Sequence, residues 1–104
     1  MTVDEFRKTP TAPDGLTPPL RAMWHDAHGD WESAHRVVQD DDSREAAWVH
    51  AYLHRREGDE GNAGYLYARG GQSAARGSLE SEWQEIVGAL MRSSRLGEQQ
   101  TQAI

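Results

Sequence analysis

The residues best suited to chemistry lie close together on one short stretch, at His50, His54 and Glu57. Steps of four and three residues place these side chains within an arc of about 60° on one face of a helix. Two imidazoles one turn apart, with a carboxylate beside them, are a common beginning of a site for zinc or another divalent metal. The spacing therefore predicts a candidate metal site, with zinc as the first ion to consider.

A third nitrogen ligand is predicted at His25, because a repeat of 29 residues superposes His25 on His54. A structural interpretation stands beside this one: both imidazoles would pack in the core and hydrogen-bond to a backbone carbonyl or to Glu57. Acid–base catalysis is a third interpretation. The residues between His50 and His54 lack the glutamate of the zinc-protease signature, so the motif predicts no particular reaction.

Helices must position these residues, because apolar side chains recur at helical spacing along most of the chain. Thr17 followed by two prolines is a helix-start signal. The Gly-Asp pair at residues 29–30 returns at 58–59, where each pair ends one helix and caps the next. The sequence therefore predicts two stacked helical hairpins, over residues 18–39 and 44–69.

The ends of the chain differ from these hairpins. Ser78 caps an amphipathic helix predicted over residues 78–95, which closes the hairpin stack. Residues 1–17 are rich in proline and polar residues and are predicted to form a flexible arm, and residues 97–104 to form a frayed tail. We thus expect one all-α domain over residues 18–96.

Composition limits the function classes. The 104 residues carry a formal net charge of -6, and 37% of them are hydrophobic. A dense basic cluster is missing, which argues against nucleic acid, and the absence of cysteine excludes thiolate sites. The sequence also shows no membrane-spanning run and no signal pattern, so we expect a cytoplasmic protein. So small a core favours self-association, as a dimer or another homo-oligomer.

Two stretches resemble the turn and second helix of a tetratricopeptide repeat. They read His-Gly-Asp-Trp-Glu-Ser-Ala at residues 28–34 and Glu-Gly-Asp-Glu-Gly-Asn-Ala at residues 57–63. Ala22 and Ala51 stand where that family places a small residue. The resemblance covers about residues 18–70 and implies stacked antiparallel hairpins.

A second resemblance concerns the stretch Trp-Val-His-Ala-Tyr-Leu-His-Arg-Arg-Glu-Gly-Asp at residues 48–59. It is similar to a motif in a family of short bacterial and fungal proteins to which no activity is assigned. Leu66 stands where that family tends to have tryptophan, between Tyr65 and Tyr67. The resemblance implies that His35, His50, His54 and the aromatic residues are features of the family, and it implies no activity.

Tetratricopeptide geometry would also create a binding surface on the concave side of the first helices. Its predicted members are Met23, Trp48, Tyr52, Arg55 and Arg56. Aromatic residues and arginines are the usual anchors of protein–protein affinity. The alternative is that Trp48 and Tyr52 belong to the core, covered by the last helix or a second subunit.

Two functions follow from these observations. The leading prediction is a protein-interaction or assembly module without chemistry of its own, whose partner is another protein or a second copy of the chain. The alternative is a small metal- or ligand-binding protein, or an enzyme, that uses the histidine and glutamate residues. Exposed aromatic residues would favour the first function, and imidazoles that face one polar pocket would favour the second.

Overall fold

A computed structural model describes the backbone of residues 1–103 and the side chains of residues 1–93. Within that part of the chain there are six helices and no strand, which confirms the all-α prediction. The helices are α1 (Val3–Lys8), α2 (Pro18–Ala27), α3 (Trp31–Gln39), α4 (Arg44–Arg56), α5 (Glu60–Arg69) and α6 (Leu79–Ala103).

Consecutive helices pack in pairs, α2 with α3 and α4 with α5, and α4 also contacts α2, α3 and α6. The two connecting turns share one geometry. Gly29 and Gly58 have φ values of 76° and 89°, which favour glycine. The N–H groups of Asp30 and Asp59 donate to the carbonyl five residues earlier, at 2.9 and 2.8 Å. Both aspartate side chains then cap the following helix, so the 29-residue repeat recurs in the turns.

The main hydrophobic core lies where α1, α2, α4 and α6 meet. Met23 and Tyr52 are almost fully buried in it, and the indole N–H of Trp83 donates to the Met23 carbonyl at 3.1 Å. A smaller core lies between α4 and α5, around Ala51 and Tyr67. Since α4 contributes to both cores, it is the central element of the fold and fixes the positions of His50 and His54.

The N-terminal segment differs from its prediction as a flexible arm. Residues 3–8 form α1, whose first turn is closed by a capping box between Thr2 and Glu5. Phe6 is fully buried and its ring lies 6.2 Å from that of Trp83. Arg7 forms a two-pronged ion pair with Glu80 of α6. Burial of one aromatic ring and this ion pair hold a segment that composition alone suggests is unstructured.

The closing helix, predicted over residues 78–95, corresponds to α6, whose backbone continues to Ala103. The predicted frayed tail falls on residues 97–104, whose side chains lie outside the described residues. In the part of the chain that was searched, none of the helices combines the length and the apolar character needed to cross a membrane.

Candidate metal centre

Three histidine side chains converge on one point between α3 and α4. The Nε2 atom of His50 lies 2.9 Å from Nε2 of His35 and 3.1 Å from Nε2 of His54. One nitrogen from each of the three rings lies within 4.8 Å of the others. All three side chains are half-buried, so the group lies at the edge of the fold with partial access to solvent. Convergent imidazole nitrogens are the geometry that a metal ion requires.

Two helices supply these ligands. His50 and His54 are one turn apart on α4, as the sequence predicts, and His35 comes from α3. Trp31 fixes the position of α3 relative to α4, because its indole N–H donates to the Leu53 carbonyl at 2.8 Å. The Trp31 ring also stacks on His35, with centroids 4.8 Å apart and planes 10° apart. The orientation of His35 is thus determined by a residue one turn earlier on the same helix.

Glu57 orients the third ring. Its Oε1 atom lies 2.6 Å from Nδ1 of His54, and an Asp59 carboxylate oxygen lies 3.8 Å from the same nitrogen. The carboxylate accepts a hydrogen bond from Nδ1–H of neutral His54. The lone pair of that ring is then on Nε2, facing His50. A carboxylate that holds the far side of a ligating imidazole is the usual outer partner in metal sites.

Three neutral rings cannot give each of the facing nitrogens a hydrogen-bond partner of its own. An imidazole nitrogen carries either one hydrogen or one in-plane lone pair. Since Nε2 of His50 faces a nitrogen on each side, a single proton there would have to serve both contacts. When the proton of neutral His54 is on Nδ1, hydrogen-bonded to Glu57, any other neutral arrangement sets two lone pairs or two hydrogens against each other. A cation at the common point would attract all three lone pairs.

The surroundings of His35 and His50 lower the pKa of both rings, so both are uncharged near neutral pH. Burial, followed by the neighbouring His35 and His54, lowers the pKa of His50 from 6.5 to about 4. Burial also lowers the pKa of His35, with His54 as the next cause. A metal ion therefore does not have to displace a proton from His50 at pH 7, and the neutral nitrogen is available as a ligand.

His25 is not part of this group, contrary to the prediction that it supplies the third nitrogen. Its ring contacts Trp24 at a centroid distance of 5.4 Å, and it belongs to none of the metal-capable groups among the described residues. The repeat explains the error, because equivalent positions in two hairpins take equivalent places in their own hairpins and need not meet. The three predicted residues that the structure does bring together are His50, His54 and Glu57.

Sequence spacing alone did not single out His35, which lies on another helix. Two signals could have found it. Trp31 and His35 stand one turn apart on α3, as stacked side chains on a helix do. The resemblance to the short bacterial and fungal family also names His35 together with His50 and His54.

The predicted binding surface is largely internal. Met23 and Tyr52 are buried, at 0% and 1% exposure, because α1 and α6 cover the face of α2 and α4 on which they lie. Trp48 is half-buried and packs against both hydrophobic cores. Arg55 and Arg56 form ion pairs with Glu82 and Asp26, the second from a more exposed position. The structure thus corrects this prediction for Met23 and Tyr52, which cannot contact a partner here.

No protein-family model, curated protein or solved structure matches this chain.

Proposed function

We propose that this protein binds one divalent transition-metal ion through His35, His50 and His54, with Glu57 positioning His54. The observation that carries the proposal is the contact of His50 Nε2 with two other imidazole nitrogens at 2.9 and 3.1 Å. In the neutral protein a single proton at His50 Nε2 would have to serve both contacts, whereas a cation at the common point would be coordinated by the lone pairs of all three rings. The carboxylate behind His54 supports the same interpretation.

Ligand chemistry selects the class of metal. Neutral imidazoles suit zinc, copper, nickel and iron, whereas magnesium and calcium prefer oxygen ligands. Zinc–nitrogen bonds of about 2.0–2.1 Å in a tetrahedral site place the ligand nitrogens about 3.3 Å apart. The two contacts at His50 need to lengthen by a few tenths of an ångström to reach that spacing, and the nitrogens of His35 and His54, which lie within 4.8 Å of each other, have to approach by up to about 1.5 Å. Half-buried side chains can make such a movement without disturbing the core.

The three histidines would leave one coordination position for water or another ligand. Among the side chains that the structure describes, no fourth histidine or carboxylate joins this group. Zinc sites with three protein ligands and one open position are typical of catalysis, whereas closed four-ligand sites are typical of structure. We therefore propose metal binding with an open position, and the metal alone is the ligand to test first.

The role of a protein-interaction or assembly module stays a prediction. Its expected anchors Met23 and Tyr52 are buried, so the predicted surface gives it little support. The histidine group, in contrast, brings one nitrogen of each of three half-buried imidazoles within 4.8 Å of the others. For this reason the metal-binding alternative is the one that we propose.

The test is a titration of untagged, chelator-treated protein with zinc at pH 7.5, followed by calorimetry and by elemental analysis after desalting. We expect a stoichiometry near one zinc per chain. The His50→Ala variant should bind zinc at least about 100-fold more weakly, because it removes the central ligand.

His25→Ala is the matched control, since this histidine lies outside the group and its loss should leave both affinity and stoichiometry unchanged. A metal content near background in the wild-type protein would contradict the proposal. So would equal loss of zinc in the His25 and His50 variants.

A further inference from the structure

A second polar site lies away from the histidines, in a cavity of about 310 Å³ between α1, α2, α4 and α6. It shares no residue with the proposed metal centre. Its lining consists of Arg7, Asp26, Ala27, Tyr52, Arg56, Glu80 and Trp83. This volume is at the lower end of the range of small-molecule sites, about 300–1,000 Å³.

The buried end of the cavity carries a carboxylate with unused hydrogen-bonding capacity. Asp26 is 4% exposed, and its Oδ2 accepts a hydrogen bond from the Tyr52 hydroxyl at 3.0 Å. Its Oδ1 is buried and accepts no hydrogen bond from the protein. Arg56 Nε lies 3.2 Å from Oδ1 as an ion pair, without hydrogen-bond alignment.

The position of Asp26 is also electrostatically unfavourable. It lies in the last turn of α2, next to the negative end of the helix dipole. Burial raises its pKa, while Arg56 and then the Tyr52 hydroxyl act in the opposite direction. A carboxylate that is buried, poorly placed and half-satisfied is hard to explain by stability alone, and such groups are frequent at binding sites.

The exposed end of the cavity carries two arginines and Glu80. Arg7 lies over the Trp83 ring at 4.2 Å and holds Glu80 through two hydrogen bonds of 2.8 and 2.6 Å. The Arg56 side chain is 45% exposed. Two arginines and two acids line the cavity, so its formal charge is zero. Arg7 is paired with the exposed Glu80, and Arg56 is paired with the buried Asp26.

We propose that this cavity binds a small zwitterion of amino-acid size, with its ammonium group at Asp26 Oδ1 and its carboxylate at the guanidinium groups of Arg7 and Arg56. The ammonium group supplies the hydrogen-bond donor that Oδ1 lacks. The carboxylate reaches arginines, which recognise such groups through paired N–H donors. A lining of zero net charge that contains both signs fits a zwitterion better than a simple anion or cation.

The test is an NMR titration of ¹⁵N-labelled protein with glycine, alanine, serine, glutamate and arginine, each up to about 10 mM. Acetate and methylammonium serve as probes that carry only one of the two charges. We expect at least one amino acid to give saturable shifts at Ala27 and at the Trp83 indole N–H, with a Kd of about 1 mM or below. Acetate and methylammonium should bind at least about 10-fold more weakly.

Asp26→Asn should weaken binding of that amino acid by about 10-fold or more, since it replaces the carboxylate by a neutral side chain of the same shape. Arg7→Gln, which alters a partly exposed side chain and keeps the core, should weaken it similarly. Glu32→Gln, at an exposed carboxylate outside the cavity, should leave binding unchanged.

The proposal is overturned if no amino acid gives saturable shifts, if the single-charge probes bind equally well, or if binding is unchanged in both the Asp26 and Arg7 variants. Since His50→Ala alters none of these residues, it should retain amino-acid binding. The outcome is therefore independent of the metal proposal.

Discussion

Glu82 and His50 are both polar side chains in contact with the packed interior, but their partners differ. Glu82 is 3% exposed, and each of its carboxylate oxygens is paired. One oxygen accepts from Arg55 at 2.8 Å and the other accepts from the Tyr67 hydroxyl. Arg55 also donates to the Gly77 carbonyl. At His50, in contrast, three imidazoles meet and cannot all be satisfied by one another.

We interpret this difference as one between a structural polar group and the proposed metal-binding group. Buried polar atoms of folded proteins nearly always have partners, so an exception calls for an explanation. Glu82 also lies in the first turn of α6, where the helix dipole favours an acid. The protein supplies a separate donor for each oxygen of Glu82, whereas one nitrogen of His50 faces two other imidazole nitrogens. We therefore expect changes at Glu82 to affect stability and changes at the histidines to affect binding.

The largest effect on stability is expected from Glu82→Ala. The change leaves the Arg55 guanidinium and the Tyr67 hydroxyl without their buried acceptor, which typically costs about 3–5 kcal/mol. Urea unfolding would measure this as a fall in the free energy of unfolding. If enough folded protein remains, its zinc stoichiometry should equal that of the wild type. A loss below about 1 kcal/mol would show that Glu82 is not the structural group described here.

Zinc should in turn stabilise the wild-type fold. A ligand that binds only the folded state contributes about 2.7 kcal/mol at a free concentration of 100 times Kd. For a domain of this size that corresponds to a rise in Tm of roughly 10–20 °C. Thermal unfolding followed by circular dichroism, with and without zinc, measures the rise. The Tm of His50→Ala should rise hardly at all on addition of zinc. A rise equal to that of the wild type would show that zinc binds at another site.

Glu57→Gln tests the outer partner of the proposed metal site. The amide of glutamine lacks the negative charge of the carboxylate that accepts the hydrogen bond from His54 Nδ1–H. Zinc affinity should therefore fall by about 10–100-fold. Stability without metal should change by less than about 0.5 kcal/mol, because Glu57 is exposed. Glu60→Gln, another exposed glutamate nearby on α5, is the control and should bind zinc as the wild type does. Equal zinc affinities of the two variants would show that Glu57 does not contribute to zinc binding.

The smallest effect concerns pH in the absence of metal. The pKa of His50 is about 4 in the folded protein and about 6.5 in an unfolded chain. Between these values the unfolded state binds more protons, so stability is retained above about pH 6.5 and is lost as the pH falls towards 4. For a half-buried ring we expect a loss on the order of 1 kcal/mol after solvent screening. Urea unfolding at several pH values should show a flatter profile for His50→Gln.

Much of the fold can be predicted from the sequence because its signals are local. The observed α2 to α5 lie within the predicted ranges 18–39 and 44–69, since Gly-Asp turns and capping side chains act over a few residues. The first helix was missed although its capping box, Thr2 and Glu5, is visible in the sequence. A six-residue helix becomes stable only when Phe6 is buried against distant residues, and no local pattern reveals that contact.

The candidate site is predictable to the extent that it lies on one helix. His50, His54 and Glu57 follow from steps of four and three residues, which fix their relative direction. The choice between His25 and His35 depends on how α3 packs beside α4, which is a tertiary property. Trp31 determines that packing through its hydrogen bond to Leu53. The cavity at Asp26 likewise requires four helices to meet, so its residues are scattered along the sequence.

The most direct test of the central claim is to observe all five histidines of the chain in one spectrum. Long-range ¹H–¹⁵N correlation spectra of labelled, untagged protein record both ring nitrogens of each histidine, before and after one equivalent of zinc. We predict that Nε2 signals of His35, His50 and His54 shift together, while those of His25 and His28 stay in place. Unchanged signals from His35, His50 and His54, or shifts confined to His25 and His28, would contradict the account.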